Sequence, residues 1–74
     1  MLGGEVMLTN LEEARQTKGV SLVDIADLLK VRRQTISDKI SGLYDFKFDE
    51  ALTIRDSFFP EYTLEYLFKK NEKN

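Results

Sequence analysis

Apolar side chains recur at helical spacing along most of the chain, and no stretch shows the alternation of a half-buried strand. The clearest case is the segment 22–29, where positions i, i+3, i+4 and i+7 are Leu22, Ile25, Ala26 and Leu29. The same spacing predicts five short helices, over about residues 9–18, 22–29, 33–41, 48–58 and 64–68. We therefore expect an all-α fold of five helices packed around one core.

Residues suited to capping mark the ends of these helices. Ser21 and Asp24 fit a capping box before the second helix, and Thr9 with Glu12 fits another before the first. Gly19 can end the first helix, because glycine enters the left-handed conformation without a Cβ penalty.

The two ends of the chain lack the helical pattern. Residues 1–8 contain a Gly-Gly pair and are expected to be a flexible leader, and residues 70–74 are expected to be a polar tail. The segment 9–69 is then a single small domain with a modest core.

The third predicted helix is poor in core residues. Only Ile36 and Ile40 are apolar, one turn apart, and Arg32 and Arg33 stand at its entrance. The opposite face carries Gln34, Ser37, Asp38 and Ser41. A polar helix that follows a well-capped amphipathic helix across a three-residue turn has the layout of a helix-turn-helix, whose second helix enters the major groove of DNA.

Composition excludes several classes of protein. The chain has no cysteine and no histidine, so thiolate metal sites, disulfides and histidine-based catalysis are unavailable. It has no Gly-rich phosphate loop and no nucleophile elbow, so we expect neither an enzyme nor a cofactor. No signal peptide, membrane-spanning run or small-molecule site is evident, and a cytoplasmic, nucleoid-associated protein is expected.

The net charge of −2 conceals a basic middle segment. Residues 15–47 hold seven basic and four acidic side chains, a net charge of +3, whereas residues 1–14 carry −3 and residues 48–74 carry −2. Local charge matters more than total charge for binding to phosphates. The acidic ends leave a second hypothesis open, in which the chain is an antitoxin-like or adaptor module that binds a protein partner.

These residues resemble a known family, the Cro/C1-type (XRE) helix-turn-helix proteins. The resemblance is carried by Gly19-Val20-Ser21, Asp24-Ile25-Ala26, Val31, Thr35-Ile36-Ser37 and Gly42. The segments 46–52 and 58–68 resemble small phage-repressor-like members from Gram-positive bacteria and their phages. The similarity spans about residues 8–69, and it implies a lambda-repressor-like DNA-binding domain whose second and third helices form the helix-turn-helix.

The resemblance also implies roles for single residues. The base-reading positions are Arg32, Arg33, Gln34 and Asp38. Arginine can donate two hydrogen bonds to guanine, and glutamine can bond adenine in the same way. Asp38 would accept from cytosine or position Gln34. The phosphate-binding positions are Arg15, Ser37, Lys39, Ser41, Tyr44 and Lys47.

Three positions depart from the family pattern. Leu22 replaces a glutamine that often reaches phosphate, so that contact is expected to be absent. Lys30 replaces a turn glycine, so either the turn differs or the lysine adopts the left-handed conformation. Ile40 replaces a glutamate that pairs with the arginine matching Arg15, which leaves Arg15 free for phosphate.

The expected partner is double-stranded DNA, bound by a homodimer on a pseudo-palindromic operator. The chain is rich in aromatic residues near its C-terminal end, more than a small core holds easily. Phe48, Phe58 and Phe68 are expected in the core. Phe59, Tyr62 and Tyr66 are the candidates for a dimer interface.

Overall fold

The computed structural model describes residues 5–73. Along the chain, five helices lie between two short strands. The helices are α1 (Thr9–Lys18), α2 (Leu22–Leu29), α3 (Arg33–Ile40), α4 (Phe48–Phe58) and α5 (Leu64–Leu67). The strands are β1 (Glu5–Met7) and β2 (Asn71–Lys73). The helical fold predicted from the apolar spacing is confirmed, whereas the two strands were not predicted.

The core receives residues from all five helices and from the turn after α4. Its fully buried members are Leu11, Ile25, Ile36, Ile54, Phe59 and Leu67. Ile25 and Ala26 of α2 are buried as expected, with Leu22 and Leu29 partly buried beside them. Burial of apolar surface at roughly 25 cal/mol per Å² stabilises this arrangement of short helices, since none is long enough to be stable alone.

The predicted capping box of α2 is confirmed. The Ser21 side chain accepts from the Asp24 N–H at 2.9 Å, and the Asp24 carboxylate accepts from the Ser21 N–H at 3.0 Å. Gly19 ends α1 in the left-handed conformation, as expected, with φ at 71°.

The capping box predicted for α1 is wrong. Leu8 occupies the N-cap position, Thr9 is already helical, and the cap has no side-chain hydrogen bond. Glu12 instead accepts from the side chains of Arg15 and Gln16. A charged guanidinium is a stronger donor than a neutral backbone N–H, so the carboxylate turns toward Arg15.

Within residues 5–73, the ends of the chain differ from the expected leader and tail, whose residues 1–4 and 74 lie outside the described residues. Residues 5–7 pair antiparallel with residues 71–73, with Met7 opposite Asn71. Leu8 is buried, and its N–H donates to the Ile40 carbonyl at 2.9 Å. Three-residue strands are too short to show alternation, and their pairing depends on a fold that brings distant segments together. Within residues 5–73, no helix is long and apolar enough to cross a membrane.

The connection between α2 and α3 fixes how these two helices pack. Lys30 ends α2 in the left-handed conformation, with φ at 60° and ψ at 44°. The Val31 N–H donates to the Ala26 carbonyl at 3.0 Å and closes the turn. Of the two alternatives for this position, the lysine therefore adopts the glycine-like conformation, at a cost of about 1–2 kcal/mol.

Candidate nucleic-acid interface

Helix α3 is anchored by a narrow apolar seam. Ile36 is fully buried and Ile40 is 4% exposed, and they are the only buried residues of the helix. Residues one turn apart lie on the same face, so two isoleucines anchor α3 in the core, while its other side chains are exposed or only partly buried. The seam expected from the sequence is confirmed.

The three residues at the start of α3 are all exposed. Arg32 is the N-cap, Arg33 and Gln34 follow it, and the first turn contains no acidic residue. Among the side chains that the structure describes, neither guanidinium lies within 4 Å of a carboxylate. The positive end of the helix dipole therefore carries two further positive charges without a neighbouring counter-charge.

Gln34 is held in place by Asp38, one turn further along. The Gln34 amide donates to the Asp38 carboxylate at 2.9 Å. This contact is one of the two roles expected for Asp38. It leaves the amide oxygen and the second amide hydrogen of Gln34 free for a ligand.

Most other cations of the described chain are paired. Each lies within 4 Å of a carboxylate, and the pairs are Arg15–Glu12, Lys18–Glu61, Lys39–Glu50, Arg55–Asp56 and Lys70–Asp45. Among residues 7–70, whose side chains the structure describes, the cations outside these pairs are Lys30, Arg32, Arg33, Lys47 and Lys69. Three of these five lie between the end of α2 and the first residue of α3, which makes this turn the main site of uncompensated positive charge.

Arg15 is not free, contrary to expectation. Its guanidinium bonds both carboxylate oxygens of Glu12 and donates to the Val20 carbonyl at 3.1 Å. The hydrogen bond from Arg15 lowers the pKa of Glu12 and, with help from Gln16, outweighs the effect of burial. The carboxylate partner of Arg15 thus lies on the same helix, one turn away, and not at position 40.

Lys39 is also occupied. Its Nζ donates to Glu50 at 2.8 Å and lies 5.6 Å from the centre of the Phe46 ring. Only 13% of the Lys39 side chain is exposed. A phosphate contact by Lys39 would require this pair to open, so its expected role does not match the structure.

The other expected phosphate-binding residues differ in exposure. Tyr44 and Lys47 are exposed in the loop between α3 and α4. Ser41 is exposed, with its hydroxyl donating to the Asp38 carbonyl at 3.0 Å. Ser37 is half-buried in a small recess beside Arg15. Tyr44, Lys47 and Ser41 are accessible to a ligand as the structure stands.

The aromatic residues near the C-terminal end are distributed differently from the prediction. Phe59 is fully buried, so it is a core residue and is wrong as an interface candidate. Phe48, expected in the core, is 69% exposed because it is the first residue of α4. Tyr62 and Tyr66 stack with ring centres 5.6 Å apart, and Tyr66 is 43% exposed. Tyr66 is therefore accessible for an interface, whereas Tyr62 is partly buried against the core.

Glu50 is a functional candidate that the sequence did not reveal. It accepts from both the Lys39 side chain and the Lys47 N–H, and so links α3 to the start of α4. Its position resembles the third residue of a capping box, but Lys47 stands where serine or threonine would complete the pattern. Only the pairing across the loop shows its importance.

Binding of a metal ion finds no support among the residues described. None of them form a group of three or more acidic side chains suited to a metal ion.

No family model matches the chain, and neither does any curated protein or solved structure.

Proposed function

We propose that this protein is a sequence-specific DNA-binding transcriptional regulator that acts as a repressor. In this proposal α2 and α3 form a helix-turn-helix, α3 enters the major groove, and a dimer occupies a pseudo-palindromic operator. Repression follows from occlusion, since a bound dimer blocks polymerase at the promoter without any chemistry. The protein would act in the cytoplasm, on the nucleoid.

The observation that carries the proposal is the distribution of unpaired cations. Lys30, Arg32 and Arg33 lie together at the α2–α3 turn, while Arg15 and Lys39 nearby in sequence are held by carboxylates. Uncompensated charge at a helix N-terminus lowers stability unless an anion binds there. A DNA backbone supplies that anion, and neutralised phosphates release condensed counterions.

Base reading would fall to Arg33 and Gln34, with Arg32 beside them. Both arginines are exposed and free to form two hydrogen bonds with guanine. Gln34 is oriented by Asp38, which reduces the rotamer entropy lost on binding. Tyr44, Lys47 and Ser41 would bind phosphates and fix the register without reading sequence.

Dimerisation would use the exposed end of the tyrosine stack. Tyr66 presents a large aromatic surface, and its ring is supported by Tyr62 behind it. Aromatic side chains are enriched at interfaces, and a two-fold contact places two recognition helices about one turn of DNA apart.

Selection from a pool of random duplexes tests this function. The unaltered chain should enrich a two-fold symmetric motif, and Arg33→Ala/Gln34→Ala should not enrich it. Lys69→Ala is the matched control, because it removes another exposed unpaired cation in the segment after α5. It should enrich the same motif as the unaltered chain.

A failure to enrich any motif would contradict the proposed function. If the folded protein enriches no motif at low salt, the DNA-binding proposal is wrong. The alternative of a protein-binding module with acidic ends then becomes the better account.

A further inference from the structure

Glu50 joins two helices through a single carboxylate oxygen. Its Oε1 accepts from Lys39 Nζ at 2.8 Å and from the Lys47 backbone N–H at 3.0 Å. The Lys39 and Glu50 side chains are only 13% and 20% exposed. A pair this well covered is screened little by solvent, so breaking it costs more than breaking a typical surface ion pair.

The loop of residues 41–47 is held at both ends. At its start, the Leu43 N–H donates to the Asp38 carbonyl at 2.9 Å. At its end, the Phe46 ring lies under Lys39 Nζ and packs edge-on against Phe68, with ring centres 5.4 Å apart. Between these contacts, Tyr44 and Asp45 stand exposed at the surface.

We infer that Glu50 is a positioning residue for DNA binding. By tying the last turn of α3 to the first turn of α4, it holds Tyr44 and Lys47 where they bind phosphate. This inference rests on the proposed function. It also assigns Lys39 to the protein interior, as the partner of Glu50, and not to the DNA backbone.

The two possible roles of Lys39 predict opposite effects on DNA affinity when Glu50 is weakened. If Lys39 bound phosphate, Glu50 would compete with DNA for the ammonium group, and weakening Glu50 would strengthen DNA binding. If Glu50 holds the loop, weakening it releases Tyr44 and Lys47 and DNA binding falls.

Glu50→Asp separates these roles while it preserves charge. Asp24 of α2, at the third position of its helix, reaches the N–H of the N-cap Ser21 at 3.0 Å. An aspartate at position 50 should likewise keep the bond to the Lys47 N–H, but it is one methylene too short to reach Lys39 as well. We expect Glu50→Asp to fold and to bind the enriched duplex about tenfold more weakly, with the same preferred sequence.

Glu50→Gln is the second variant, since it keeps the length and removes the charge. It should also weaken binding, although a lost negative charge by itself favours DNA. Glu65→Asp and Glu65→Gln are matched controls at an exposed position of α5, and they should bind as the unaltered chain does or slightly better. All affinities are measured well below the unfolding temperature of each variant, so a loss of stability alone leaves them unchanged.

A double-mutant cycle shows whether Glu50 acts through the loop. Lys47→Ala should cost less affinity in the Glu50→Asp background than in the unaltered chain, because its contact is already weakened. Additive losses would contradict the inference, as would Glu50 variants that bind DNA as tightly as the unaltered chain or more tightly. If the unaltered chain binds no DNA, the proposed function fails and the inference falls with it.

Discussion

The two ends of helix α3 are built on opposite principles. At the C-terminal end, the Leu8 N–H bonds the Ile40 carbonyl, the Ser41 hydroxyl bonds the Asp38 carbonyl, and Lys39 is paired with Glu50. At the N-terminal end, Arg32 and its neighbour Arg33 are exposed, and the first turn has no acidic residue. The C-terminal end of α3 is therefore bound by other parts of the protein. The N-terminal end has exposed arginines without carboxylate partners among the described side chains, and we call it the open end of α3.

This difference separates the residues that stabilise α3 from those that serve its proposed function. A positive charge in the first turn of a helix is unfavourable by about 0.3–1 kcal/mol. An acidic residue at this place would stabilise the helix, as Asp24 does in α2. The arginines thus reduce stability at the end of the helix that is proposed to face DNA.

The largest expected effect on stability comes from a substitution in the apolar seam of Ile36 and Ile40. Ile36→Ala removes a fully buried side chain and leaves a cavity, and we expect a loss of about 2–5 kcal/mol in the free energy of unfolding. Chemical denaturation followed by circular dichroism measures it. Leu43→Ala is the control, since Leu43 is 65% exposed, and its effect should stay within about 0.5 kcal/mol. Equal losses in the two variants would contradict the described core.

The next effect concerns the open end of α3. Arg33→Ala should cost about 1–3 kcal/mol in binding to the enriched duplex and relax preference at one operator position. The free energy of unfolding should stay the same or rise, because a positive charge leaves the helix N-terminus. Binding titrations and denaturation curves on the same variant measure both quantities. A loss of stability together with binding would show that Arg33 supports the fold.

Lys47 provides the contrast to Arg33 among the proposed DNA contacts. Lys47→Ala should weaken binding to all sequences similarly and reduce the slope of log affinity against log salt by about 0.9, the value for one phosphate. A series of salt titrations with the enriched motif and an unrelated duplex measures the slope. If Arg33→Ala and Lys47→Ala gave the same uniform loss, the division into base reading and phosphate binding would be wrong.

Acidification gives the smallest expected effect. Hydrogen bonds from Arg15 and from Lys18 lower the pKa values of Glu12 and Glu61. Burial raises the pKa of Glu50, but the hydrogen bonds and charges at that site outweigh it and leave the pKa below its ordinary value. Carboxylates with lowered pKa values stabilise the fold above the ordinary value of 4.5, and this contribution is lost as the pH falls through the lowered values.

The melting temperature should therefore fall as the pH is lowered below about 4.5. Glu12→Gln should show a shallower fall, because it lacks one of the three carboxylates. A melting temperature that rises on acidification would contradict the described ion pairs.

The sequence predicted features that depend on local spacing. The helix ranges, the capping box of Ser21 and the seam of Ile36 and Ile40 follow from residues a few positions apart, and the structure contains each of them. Local spacing was insufficient at Thr9, because the Arg15 guanidinium is a stronger donor to the Glu12 carboxylate than the backbone N–H that a capping box would use.

Features that depend on distant residues were missed. The pairing of β1 with β2 joins the two ends of the chain, and the Lys39–Glu50 pair crosses a loop. Phe48 and Phe59 exchanged their expected places, because burial at a helix end depends on how α4 docks against its neighbours. Arg32 and Arg33 were placed correctly at the start of α3, yet their lack of carboxylate partners emerges only from the folded arrangement.

The most direct test of the central claim is an NMR titration of the isotope-labelled protein with the enriched duplex. We expect the largest shift changes at Arg32, Arg33 and the Gln34 side chain, with smaller changes at Tyr44 and Lys47. Changes confined to α1 and the acidic ends of the chain, with α3 unaffected, would contradict the claim that the open end of α3 is the DNA-binding surface.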